Sequence, residues 1–99
     1  MNIQNLMQQA QKMQKDIMQK KENFNKKEFI EEDQYLRIIA TGDKRIKKVE
    51  ILKSELLNID DIEMLQDILC VTFNNLIKKI DQEFEKEMGQ YGNSLNGLI

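Results

Sequence analysis

The sequence predicts an α+β fold: two long helices flanking a three-stranded antiparallel sheet, in the order α-β-β-β-α. Three observations predict it. Apolar residues recur at steps of three and four near both ends of the chain. In the middle the period drops to two. The links between the alternating runs are short, which implies hairpins rather than crossovers. No proline occurs, so nothing breaks either helix internally.

The first helix is expected over Ile3–Asn23. Leu6, Ala10, Met13 and Ile17 follow steps of four, three and four, with Ile3, Met7 and Met18 beside them. Asn2 is placed to cap its start. Gln4, Gln8, Gln9, Gln11, Gln14 and Gln19 fill the polar face with good helix formers. The stripe is coiled-coil-like but shorter than three heptads. It either docks on the domain's own sheet or belongs to a helix that partly projects.

Three strands follow. Phe29 and Ile30 among charges suggest a short edge strand within Phe24–Glu32. Tyr35–Thr41 is a strand with Leu36, Ile38 and Ala40 on one face and Tyr35, Arg37 and Ile39 on the other. Two largely apolar faces suit a central position. Thr41-Gly42-Asp43-Lys44 is a turn, with Gly42 available for positive φ. Ile46–Leu52 is the third strand, with Val49 and Ile51 opposite Lys48 and Glu50.

Asp60–Met88 reads as the second helix. Ile62, Leu65, Leu69, Phe73, Leu76, Ile80 and Phe84 line one face, and Met64, Ile68, Val71 and Ile77 widen it. Asp60 with Glu63 suggests a capping-box-like start, and Gly89 a stop. A helix of that length spans roughly 42 Å. A chain of 99 residues does not cover so long an apolar face alone, so a partner shares the helix or its end projects. Ile68, Val71 and Phe73 are candidates for the core or a dimer interface. Residues 1–88 form the expected domain. Residues 89–99, with three of the four glycines, form an expected flexible tail.

Composition narrows the chemistry. There is no His, so imidazole general-base catalysis and His metal sites are excluded. A single cysteine, Cys70, builds neither an internal disulfide nor a thiolate zinc site, and fits a reducing cytosol. No glycine-rich phosphate loop is present. No apolar run reaches the length of a membrane span, and the first residues carry no apolar signal region. A cytoplasmic, non-enzymatic protein without metal or cofactor is expected. Asp60, Asp61 and Glu63 are explained by their place at a helix start, and a metal-dependent enzyme using them is the weakest alternative.

The net charge is −2, but the distribution matters more. Residues 1–27 balance at +4, 28–34 at −4, 35–53 at +4 and 54–88 at −6. Two cationic sets stand out. Lys12, Lys15, Lys20 and Lys21 lie along the first helix, with Lys26 and Lys27 after them. Lys44, Arg45, Lys47 and Lys48 surround the tip of the second hairpin. Such sets either neutralise phosphates, with little sequence information, or form an ordinary solvated face. No aromatic ladder accompanies them, so stacking on single strands is not supported.

The residues also carry a resemblance. Asn5-Leu6-Met7-Gln8-Gln9-Ala10-Gln11-Lys12-Met13-Gln14 stands near the front. Leu36-Arg37-Ile38, Thr41-Gly42 and Lys47-Lys48-Val49-Glu50-Ile51 follow. Glu63-Met64-Leu65-Gln66-Asp67, Phe73-Asn74 and Lys78-Lys79-Ile80 come last. In this order the segments resemble the YbaB/EbfC family of bacterial nucleoid-associated proteins over nearly all of residues 3–88. One departure is the turn between the first two strands, Gly-rich in the family and here Glu31-Glu32-Asp33-Gln34.

The resemblance implies a homodimer with projecting helices, shaped like tweezers, that binds duplex DNA in the nucleoid. Lys12, Lys15, Lys20, Lys21, Lys44, Arg45, Lys47 and Lys48 are the expected DNA contacts, chosen on charge and placement. The competing expectation is an adaptor whose helices grip a recombination or repair protein. The acidic second helix speaks for it.

Overall fold

The computed structural model describes residues 2–91, apart from the side chains of residues 55 and 56. The elements are α1 (Ile3–Lys26), β1 (Glu28–Glu32), β2 (Leu36–Thr41), β3 (Ile46–Ile51) and α2 (Ile62–Met88). The two helices flank an antiparallel sheet of order β1-β2-β3, with β2 central as its two apolar faces suggest. The molecule is a rod of 71 × 18 × 17 Å.

α1 begins where Asn2 caps it: the Gln4 amide donates to Asn2 Oδ1 at 3.0 Å. It ends three residues later than the periodicity suggests, because Phe24 lies seven residues after Ile17 and so falls on the same buried face. At Lys27 the backbone turns extended, and its N–H donates to the Phe24 carbonyl at 3.0 Å.

α2 packs on one face of the sheet. Leu76 and Ile80 are buried against Phe24, Phe29, Ile38 and Ala40, with Leu69, Phe73 and Phe84 closing the edges. Each such large aliphatic side chain contributes roughly 1.5–3 kcal/mol by leaving water. A smaller cluster joins Ile17 of α1 to Met88 of α2, with Phe84 and Tyr91 beside it. Phe24 meets Phe84 edge-on, with ring centroids 5.3 Å apart. These contacts run antiparallel along the two helices. Lys27 then ties the exit of α1 to α2, with Glu87 at 2.9 Å and Glu83 at 3.4 Å. The Glu87 bond raises the Lys27 pKa against partial desolvation, with Glu83 adding to the effect. Glu87 is correspondingly held below its ordinary value, first by Lys27.

The acidic link between β1 and β2 forms a regular hairpin without glycine. Asp33 Oδ1 accepts from the Tyr35 and Leu36 amides at 2.7 and 2.8 Å. Its second oxygen accepts from the Thr72 hydroxyl of α2 at 3.0 Å. One carboxylate therefore makes the turn and pins it to the helix. Burial pushes the Asp33 carboxyl up, but the amides of Leu36 and Tyr35 and the Thr72 hydroxyl outweigh it, so the pKa is lowered.

Two termini differ from expectation. The Asp60–Glu63 capping box does not form. Asp61 is the N-cap and makes no side-chain cap bond. A 3₁₀ turn over Ile59–Asp61 feeds directly into α2, and the Asp61 amide donates to the Asn58 carbonyl instead. At the other end Gly89 keeps a right-handed conformation, and a 3₁₀ turn continues over Gly89–Tyr91. The remainder of the expected tail, 92–99, lies outside the described residues. No helix among the described residues is long and apolar enough to cross a membrane.

Candidate nucleic-acid interface

The hairpin between β2 and β3 is built against the end of α1. The Gly42 amide donates to the Lys27 carbonyl at 2.9 Å. A Cβ on Gly42 would collide with the Phe24 carbonyl oxygen, so the glycine is there for close approach. Positive φ falls instead on Lys44, at 65°. The Lys44 amide donates back to the Thr41 carbonyl at 2.9 Å, and the Thr41 amide to the Arg45 carbonyl at 2.9 Å. The Thr41 hydroxyl donates to Asp43, and this bond leads the causes that hold the Asp43 carboxyl below its ordinary value.

The pairing of β2 with β3 slips between Ile39 and Ala40, which face Lys48 and Ile46. Lys47 is the extra residue of a bulge. The slip gathers Lys47 and Lys48 with Glu28, Glu32, Arg37 and Glu50, away from α2. Lys47 pairs with Glu28 at 2.8 Å and Lys48 with Glu50 at 3.4 Å. Arg37 bridges Glu32 at 2.9 Å and Glu50 at 3.5 Å. At the tip, Lys44 meets Asp81 of α2 at 2.6 Å and Arg45 meets Asp43 at 3.4 Å. Every expected contact residue of the hairpin therefore has a carboxylate within reach. On the outer sheet face the acids Glu28, Glu32 and Glu50 balance Arg37, Lys47 and Lys48, so the summed field is weak.

The first helix is different. α1 is exposed from Ile3 through Asp16, and burial begins at Ile17. Met88 at the end of α2 stands opposite Ile17, so about 14 residues of α1, roughly 21 Å, extend past that contact. Lys12 and Lys15 lie on this arm, and no ion pair reaches either among the described residues. Lys20 lies over the Tyr91 ring, 5.2 Å from its centroid. Lys21 borders a cleft of about 320 Å³ that also meets Lys44, where the two cationic sets come together. Linear charge counting does not reveal this division, because Lys44–Asp81 and Lys47–Glu28 join residues distant in the chain.

The residues expected in the core or interface also separate. Phe73 packs against the core and Ile68 is half-buried, whereas Val71 is 60% exposed. Ile46, Val49 and Ile51 lie on the helix-side face of the edge strand β3, yet all are exposed, as are Ile62 and Met64 of α2.

A profile of the YbaB/EbfC DNA-binding family matches residues 1–95. A nucleoid-associated protein of Enterococcus faecalis is 37% identical over 99 residues, covering 98% of this chain and 94% of that protein. One from Ruminiclostridium cellulolyticum is 39% identical, covering 98% and 85%. One from Mycoplasmopsis pulmonis is 36% identical over 91 residues, covering 89% and 90%. With the helix-sheet-helix order and these matches along almost its whole length, the chain belongs to the YbaB/EbfC DNA-binding family.

Proposed function

We propose that the protein binds double-stranded DNA as a homodimer, mainly through phosphate contacts, as a nucleoid-associated protein of the bacterial cytoplasm. The observation that carries this is the exposed arm of α1, where Lys12 and Lys15 stand without an acidic partner among the described residues. Unpaired ammonium groups on a projecting helix meet phosphates without first leaving a carboxylate. Lys20 and Lys21 continue the same element toward the cleft. Lys44, Arg45, Lys47 and Lys48 form a second, weaker contact, since phosphate must compete there with Asp81, Asp43, Glu28 and Glu50.

The uncovered apolar surface of β3 and α2 supports the dimer. Ile46, Val49 and Ile51 of β3 and Ile62, Met64 and Val71 of α2 are all exposed, and exposed apolar surface of this kind marks interaction sites when it is contiguous. A second copy covering them would bring two arms to one duplex and add avidity. Roles in nucleoid organisation, gene regulation or recombination follow from DNA binding of this kind.

The test is fluorescence anisotropy of a labelled duplex across a range of salt concentrations, with the dimer mass measured in parallel. Affinity should fall linearly in log–log form, with a slope of about −0.9 per phosphate neutralised. An intact dimer that fails to bind at low salt would favour the second reading, an adaptor for a recombination or repair protein. The six acids of α2 are the observation on that side.

A further inference from the structure

The polar face of the α1 arm has a composition that solubility does not explain. Gln4, Gln8, Gln11 and Lys15 follow steps of four, three and four, so they form one stripe. It lies opposite the stripe of Leu6, Ala10, Met13 and Ile17. Lys12 flanks it. All of these polar side chains are exposed.

Glu is as good a helix former as Gln. It is also favoured near a helix start. Yet the first turn of α1 holds no acid, and the first acid in the chain is Asp16. α2, by contrast, carries six acids. On the arm neutral amides stand where carboxylates would serve solubility as well. That exchange removes repulsion from an anionic ligand and adds a hydrogen-bond donor beside the acceptor.

We propose that this stripe reads base edges in the major groove, with Gln4, Gln8 and Gln11 selecting adenine while Lys12 and Lys15 hold the flanking phosphates. The proposal rests on the duplex-binding function above and adds its specificity. A helix about 10–12 Å across fits a major groove about 12 Å wide, and the exposed arm is long enough to lie along it. A Gln side chain donates through Nε2 and accepts through Oε1. Adenine presents N7 as acceptor and N6 as donor on that edge, so one amide satisfies both.

The experiment compares the full chain with a Gln4→Ala/Gln8→Ala/Gln11→Ala variant by competition anisotropy. Alanine preserves the helix, and circular dichroism checks it. Competitors are duplexes of one length: adenine-rich, all G·C, and adenine-rich with 7-deazaadenine, which lacks the N7 acceptor. The wild type should prefer the adenine-rich duplex over the G·C duplex by about fivefold or more. The variant should lose that preference while keeping its salt slope, and 7-deazaadenine should abolish it in the wild type. A preference that survives in the variant, or that ignores 7-deazaadenine, would overturn the proposal. Binding without any base preference overturns it too, and leaves phosphate-led binding standing. No duplex binding at all refutes the underlying function and the specificity with it.

Discussion

At the residue scale, two positions hold the framework through geometry rather than bulk. Gly42 lets the β2–β3 turn touch the backbone of Phe24, and a backbone atom cannot swing aside. Gly42→Ala should therefore cost about 1–3 kcal/mol, read as a lower midpoint in urea unfolding. A midpoint equal to the wild type would mean that the turn is free to shift. Asp33 combines an Asx turn with a bond to Thr72. Because its pKa is lowered, its contribution is present above the ordinary carboxylate value and fades as pH falls through the folded value. Asp33→Ala should cost about 1 kcal/mol at neutral pH, with the gap to wild type closing below about pH 4. A gap independent of pH in acid unfolding would assign the effect to something other than the carboxylate.

At the element scale, most of the architecture is legible in the sequence. The alternation of Leu36, Ile38 and Ala40 marks the central strand, and all three are buried. The three- and four-residue steps of α1 and α2 mark both helices. The end of α1 is harder to see, because Phe24 serves a core formed by distant segments. The start of α2 misleads for a similar reason: backbone bonds of a 3₁₀ turn stand where a bond between Asp60 and Glu63 is expected. Charge pairing is the least legible. Nothing local announces that Asp81 reaches Lys44, or that a bulge turns Lys47 toward Glu28. The candidate site is therefore visible as a set of cations, but not as an arm whose Lys12 and Lys15 make no ion pair among the described residues and a hairpin whose cations do.

At the scale of the whole molecule, these features sort along a rod 71 Å long. One end carries the exposed arm with Lys12 and Lys15. The middle holds the core and the balanced outer sheet face. α2 and the exposed apolar residues of β3 supply the surface proposed for a second copy. This arrangement reconciles a net charge of −2 with DNA binding, since many of the acids are engaged by cations within the fold and the arm carries only one acid, Asp16, against Lys12 and Lys15.

The most direct measurement is duplex affinity at fixed low salt for two variants in parallel. One is Lys12→Gln/Lys15→Gln. The other is Lys44→Gln/Arg45→Gln/Lys47→Gln/Lys48→Gln. The arm variant should lose at least about tenfold in affinity and show a shallower salt slope, whereas the hairpin variant stays within about threefold of wild type. Equal losses, or a larger loss from the hairpin, would contradict the assignment of the arm as the principal DNA contact.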